Sequence, residues 1–417
     1  MNYCFKYALI ALVLLLLSTE VNSQFLLKNT ASFSQDESSF ASKNPDQSDL
    51  IILPVPGYTF NSGFEPGVFL TNQTDTFKRF SFQAMPMYAW KQQNIIGEGR
   101  VSFNVLKNTG KIRRFSTFLS GRTYFFKSTD DFDFRASRIE VGVTLNLHSP
   151  SKKPELLHQF GLKMHYSSQD ILGYNEVDSN WVPSKNTRTL KALRLNWIYN
   201  YRRDINPYSM EISSDISDEF ARAQFIYQGK LNYDSPEKFF EYRLYTGAYV
   251  YKKTNFQNNF DGRLGISGIT SEQDIFLDHW FIGRNYDTHH MSDQQTYLDQ
   301  GGFYTNMIGG KSWDWVSAIT FKTTMPFDAP IQLYLGIGAF PDLIDNGIQT
   351  AYEGGILLAP LPGVLEIAFP ILLDQNSLET LNLNTNNYLE KIRFILNFEK
   401  LNLYKWPDHP KIPKPWW

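Results

Sequence analysis

Cysteine is almost absent from this 417-residue chain: Cys4 is the single one, and it precedes the apolar run Ala8 to Leu17. One cysteine at that place excludes a disulfide framework and a thiolate metal site. It also stands in the wrong position for lipidation, which needs its cysteine at the cleavage site rather than ahead of the apolar core. Long hydrophobic runs are missing too. Ala8 to Leu17 falls short of the roughly 20 apolar residues that a spanning helix requires. Ile356 to Leu373 is interrupted by Pro360, Pro362, Pro370 and Glu366, so it predicts two strands joined by a tight hairpin at Leu361-Pro362-Gly363. Charge of one sign is lacking: the net charge of −2 leaves no basic footprint, and no nucleic-acid partner is expected. There is no sustained helical amphipathicity, no heptad pattern and no repeat of fixed period. Catalytic signatures are absent as well, with no Gly-x-Ser-x-Gly elbow and no Gly-x-x-x-x-Gly-Lys phosphate loop.

What is there is an export signal followed by strict alternation. Lys6 precedes the apolar run, and Val21-Asn22-Ser23 offers small residues at peptidase spacing, which predicts cleavage after Ser23. Downstream, Ile139, Val141, Val143, Leu145 and Leu147 share one face of a strand, while Glu140, Gly142, Thr144, Asn146 and His148 share the other. The pattern returns at 160–166, 193–202, 221–228, 331–339 and 392–399. A period of two places apolar side chains on one side and polar ones on the other. A soluble exported sandwich has the same pattern, so alternation leaves both readings open. Aromatic residues make up 16% of the chain and hydrophobic ones 42%, which fits a barrel with aromatic girdles and a polar lumen and excludes a bundle of membrane helices.

The predicted fold is therefore all-β, an antiparallel transmembrane barrel of roughly 14–16 strands. Residues 1–23 form the signal, 24–50 a polar lead-in, 51–404 the barrel and 405–417 a tail rich in Pro and Trp. Two long inserts are expected, Ser167 to Thr187 and a larger one over 252–300, on the outer side where loops carry function.

Short motifs add a resemblance. Pro54-Val55-Pro56-Gly57-Tyr58, Asn61-Ser62-Gly63-Phe64-Glu65-Pro66-Gly67 and Pro86-Met87-Tyr88-Ala89 open the barrel region. Phe281-Ile282-Gly283-Arg284, Gln294-Gln295, Asp299-Gln300-Gly301-Gly302-Phe303 and Glu390-Lys391-Ile392-Arg393-Phe394 follow in its later half. Together they resemble the C-terminal barrel module that follows the zinc aminopeptidase domain in gluzincin-type envelope proteins, itself similar to BamA-type surface-antigen barrels. The resemblance covers about Leu53 to Asn397. The zinc motif His-Glu-x-x-His is missing, and barely 30 residues lie between the predicted cleavage site and the barrel signals, so the chain resembles the barrel without the enzyme.

The resemblance implies an arginine, on a long loop folded into the lumen, that pairs with wall carboxylates. Gly283-Arg284 is the nearest candidate, with the usual Arg-Gly order reversed. Asp278-His279 and Asp287-Thr288-His289-His290 with Asp293 offer oxygen and imidazole donors for a divalent ion, but adjacent histidines rarely share one ion, and a solvated loop is the expectation. The reading is an outer-membrane barrel acting as scaffold, anchor or conduit. Its expected partners are outer-membrane lipid and a partner polypeptide or periplasmic protein, with no catalytic residue and no cofactor. The alternatives are an enzyme of the peptidase family, or another hydrolase, with a site in 252–300, and the soluble sandwich.

Overall fold

The computed structural model describes residues 50–397 apart from short stretches, the longest being 254–261, 284–293 and 375–387. The predicted signal, most of the lead-in and the tail lie outside the described residues. Alternating segments become long strands: β1 (Ile51–Thr59), β2 (Gly63–Thr71), β3 (Phe80–Ala89), β4 (Asn94–Leu106), β5 (Ile112–Ser128), β6 (Asp133–Leu147), β7 (Leu156–Val177), β8 (Asn180–Tyr201) and β9 (Tyr208–Ser217). There follow β10 (Phe220–Asn232), β11 (Phe239–Lys252), β12 (Leu264–Gly265), β13 (Lys311–Ser312), β14 (Trp315–Thr324), β15 (Ile331–Pro341), β16 (Ile348–Leu361), β17 (Leu365–Leu373) and β18 (Arg393–Leu396). All but β12 and β13 form one 16-stranded antiparallel meander in sequence order, and those two pair with each other.

Facing separates a membrane barrel from a soluble sandwich. Ile139 and Val141 on β6 are 53% and 49% exposed, whereas Glu140 between them is 5% exposed. On β15, Leu333, Leu335 and Ile337 are exposed while Gln332 and Tyr334 are buried. A sandwich buries its apolar faces, and this sheet does the opposite, turning them outward and enclosing its polar ones. An aromatic belt runs around the outside: Tyr199 stacks on Tyr208 at 5.9 Å, Tyr208 meets Tyr227 at 6.3 Å, and Tyr227 meets Tyr242 at 5.7 Å. Girdles of this kind mark a membrane interface. The expected hairpin is present, with Leu361 paired to Leu365 around Pro362-Gly363, and Gly363 takes φ +76°, which a turn there requires.

Two expectations need correction. Ser167 to Thr187 is not an insert. β7 and β8 stay paired residue by residue from Leu156↔Tyr201 to Val177↔Asn180, so their ladder continues through a polar stretch in which the alternation has ended. The ladder with β6 stops at Gln169 and the ladder with β9 at Ala192, so the top of this hairpin stands as a two-stranded ribbon. The larger insert does not end at residue 300 but continues to β14, which begins at Trp315. Its extra length is packed against the wall: Phe303, Tyr304 and Met307 are buried.

With an even number of antiparallel strands, both ends of the sheet leave on one side and the insert enters from the other. The insert touches the wall nearly all the way round, from Phe60 in the first hairpin, whose N–H donates to Ile282 O at 2.8 Å, to β18, where Phe394 O accepts from Thr296 N at 2.9 Å. One segment can meet both margins and the middle of the meander only if the sheet wraps around it, which is a barrel. No ladder joins β1 to β18 among the described residues; the turn that follows β1 and β18 itself are each tied to the insert.

Candidate functional site

The lumen carries the site, and the strand period places its groups. Arg122 on β5 and Arg138 on β6 are cross-strand partners, and Arg194, Asp215 and Arg222 lie opposite one another on β8, β9 and β10. All five side chains point inward. Asp215 is fully buried and bridges two guanidiniums, at 2.6 Å from Arg194 and 2.9 Å from Arg222. The insert adds the second carboxylate. Asp278 receives Arg138 on Oδ1 at 2.5 Å and Arg194 on Oδ2 at 2.8 Å, while Arg122 donates to its carbonyl at 3.0 Å. Phe276 of the insert lies under the Arg194 guanidinium, 4.2 Å from ring centre to Cζ. Burial would raise the Asp278 carboxyl, but Arg194 and then Arg138 hold it well below the usual carboxylate range. A buried carboxylate needs such partners, since removing two charges from water is costly.

Among the described residues, the insert brings the carboxylate to this lock and the wall brings the arginines. Arg284 itself lies outside the described residues, as do His289, His290 and Asp293. Gly283 is described and buried. The Asp278-His279 pair is not arranged as a ligand set, because both Asp278 oxygens are taken by arginines and His279 Nε2 meets Asp299 Oδ2 at 2.7 Å. Among the described residues no group of three or more His, Cys, Asp or Glu is placed to hold a metal.

His279 also stacks on Tyr297, with ring centres 4.3 Å apart. Burial alone would lower the imidazole, but Asp299 overrides it and pushes it up to about 9. Asp299 is lowered in turn, burial opposing and His279 prevailing.

On the far wall, carboxylates hold the insert without arginine. Glu353 on β16 accepts the backbone N–H groups of Tyr304 at 2.7 Å and Thr305 at 2.9 Å, and Glu366 on β17 accepts the Tyr304 hydroxyl at 3.0 Å. Burial first, and the Glu366 charge second, push that phenol well above its ordinary value. Arg243 on β11 donates to Gln300 O.

The motifs of the resemblance that fall in the insert, around Ile282, Gln295 and Gly301-Gly302-Phe303, prove to be its packing devices. Gln295 is fully buried, accepts Ile282 N at 2.7 Å and donates to Trp280 O at 3.0 Å. Tyr297 Oη meets Trp280 O at 2.6 Å and Leu396 O at 2.7 Å, reaching the last strand. At Gly301 a Cβ would lie 2.1 Å from Ile266 O, and Gly302 takes φ +79° beside Arg243. These two glycines let Phe303 reach the wall, where Gly336 leaves room for its ring.

Sequence reading missed the role of Arg122, Asp215, Glu353 and Tyr304. A signal existed for part of it: Arg138, Arg194 and Arg222 all fall on the polar faces of alternating strands, which places three guanidiniums in the lumen.

No protein-family model matches this chain, and no curated protein matches it. Solved structures do. BamA from Haemophilus ducreyi lacking POTRA domains 1-3 is 10% identical, with a TM-score of 0.44 over 79% of this chain and 68% of that one. CdiB from Acinetobacter baumannii is 10% identical, with a TM-score of 0.36 over 78% of this chain and 56% of that one, so the chain spans little more than half of its length. At these identities the likeness concerns architecture alone. The fold stands on its own geometry, an antiparallel barrel with apolar side chains outside and an insert within.

Proposed function

We propose that the protein is an outer-membrane β-barrel whose lumen is plugged by its own insert, and that it acts as a membrane scaffold or conduit for a partner polypeptide rather than as a diffusion pore. The observation that carries this reading is the Asp278 lock. A pore for small solutes has no use for a segment clamped by Arg122, Arg138 and Arg194 on one side and by Glu353 and Glu366 on the other. The export signal and the outward apolar faces support residence in an outer membrane, and the resemblance to surface-antigen barrels supports a polypeptide as the partner.

The test is fractionation followed by conductance. The protein is expected with outer membranes, to migrate faster unheated than boiled on a denaturing gel, and to conduct weakly in planar bilayers until the insert is released. Recovery as a soluble periplasmic protein overturns the membrane reading. A steady, large conductance of the wild type overturns the plug.

A further inference from the structure

The outer surface is not uniformly convex. Two rows of outward side chains cross β6 to β9 side by side, and the register fixes both. One runs from Val143 through Leu162 and Leu195 to Ser214, the other from Leu145 through Phe160 and Trp197 to Ile212. Between them lies a groove of about 460 Å³, within the range of about 300–1,000 Å³ that small-molecule sites occupy.

Its depth follows from side-chain size. The first row falls from Leu195 to Ser214, and the next residue across is Ala223 on β10. The Ser214 hydroxyl donates to Arg222 O at 3.2 Å, so this polar group is turned into the sheet. What remains is an apolar channel in a band that faces hydrocarbon.

One end of the groove meets the aromatic belt. His158, one outward position nearer the chain termini on β7, lies with its ring centre 6.5 Å from that of Trp197 and 4.9 Å from that of Tyr199. Beside them the hydroxyls of Tyr199 and Tyr208 approach to 3.4 Å, as do those of Tyr227 and Tyr242. Imidazole and phenol groups at the mouth of an apolar channel match a ligand with a polar head and a hydrocarbon tail.

We infer that this groove binds one acyl chain of a phospholipid, with the head group at His158 and the tyrosine hydroxyls. The inference rests on the outward face meeting lipid, but it claims more: a retained lipid in place of freely exchanging solvent.

The full-length protein is reconstituted in vesicles of dipalmitoylphosphatidylcholine, re-extracted into mild detergent and weighed intact by native mass spectrometry. Wild type is expected to carry one lipid. Ser214→Leu and, independently, Val143→Phe, both on groove-lining residues, fill the groove and should lower retention about tenfold, the discrimination that an added or lost methylene group brings in an apolar pocket. Leu335→Phe, on the lipid face of β15, should leave it unchanged. The heat shift on a gel shows that each variant is folded. Equal retention by a folded groove variant and wild type overturns the site, as does equal loss in Leu335→Phe or a wild type that carries no lipid. None of these outcomes touches the outer-membrane reading, which stands or falls with fractionation.

Discussion

His279 and Asp299, twenty residues apart within the insert, are joined through Nε2 and Oδ2 at 2.7 Å. The imidazole is raised from 6.5 to about 9 and the carboxyl is lowered from 3.8, so each group holds the other charged. A raised base adds stability that is fully present below its unfolded value and is lost as pH rises through its folded one. A lowered acid adds stability that is lost as pH falls below its unfolded value.

The insert should accordingly be held best between about pH 4 and 6.5 and loosen toward pH 9. Asp299 is half exposed, so salt should weaken the effect. Protease nicking of residues 253–314, followed across pH 6 to 10, is expected to rise with pH in the wild type and to be flat in His279→Phe. A flat wild-type profile would mean that the pair does not restrain the insert.

Asp278→Ala should free the insert from the wall. It leaves Arg138 with the Leu277 carbonyl but no carboxylate partner, whereas Arg194 keeps Asp215. Breaking a buried pair costs roughly 3–5 kcal/mol, and partial exposure of Asp278 brings the expectation to about 2 kcal/mol. The readouts are faster nicking and larger single-channel conductance with an unchanged heat shift. Arg284→Ala is the matched comparison: if Arg284 also pins the insert, as the resemblance implies, its nicking rate rises too, and a wild-type rate makes it a solvated arginine.

Leu195→Arg should disturb assembly, since Leu195 is 42% exposed on the outer face and a cation there costs about 2–4 kcal/mol near the midplane. Asn196→Arg points the same charge inward and should assemble with a smaller defect. Equal yields of heat-modifiable protein from the two would contradict the assigned facing.

Gly338→Leu tests the packing of the insert rather than its charge. A Cβ at this position on β15 would lie 2.6 Å from Ile266 Cγ2 and 3.0 Å from its Cβ, so the larger side chain must displace the insert. Overpacking of this kind costs about 1–3 kcal/mol. Nicking should rise as in Asp278→Ala at every pH, with the dependence through His279 kept, and normal protection would show that the insert can yield locally.

The wall of the molecule was legible in the sequence because a strand writes its facing into every second residue. Ile139 to Leu147 and Ile331 to Ala339 could be assigned before any coordinate, and Leu361-Pro362-Gly363 marked its hairpin. The ends of the inserts were not legible, since the alternation stops near Tyr166 while the β7–β8 ladder runs on through polar residues whose pairing leaves no period to read. The lock was half legible. Arg138 and Arg194 stood on polar faces, but their partner Asp278 sits in an irregular segment, where sequence spacing carries no distance. A single carboxylate there looks like any solvated aspartate until the wall is folded around it.

The tie between Phe60 and Ile282 bears on how the molecule can be made. These residues lie more than two hundred positions apart, and the insert that joins them precedes the last five strands in the chain. Contacts of such separation come at a high loop-closure cost and form late. The first hairpin can form its own ladder early, and β18 pairs with β17, but the contacts that join both margins to one segment should come late. A chain that lost its insert would keep its strands and lack the piece that brings its two margins together.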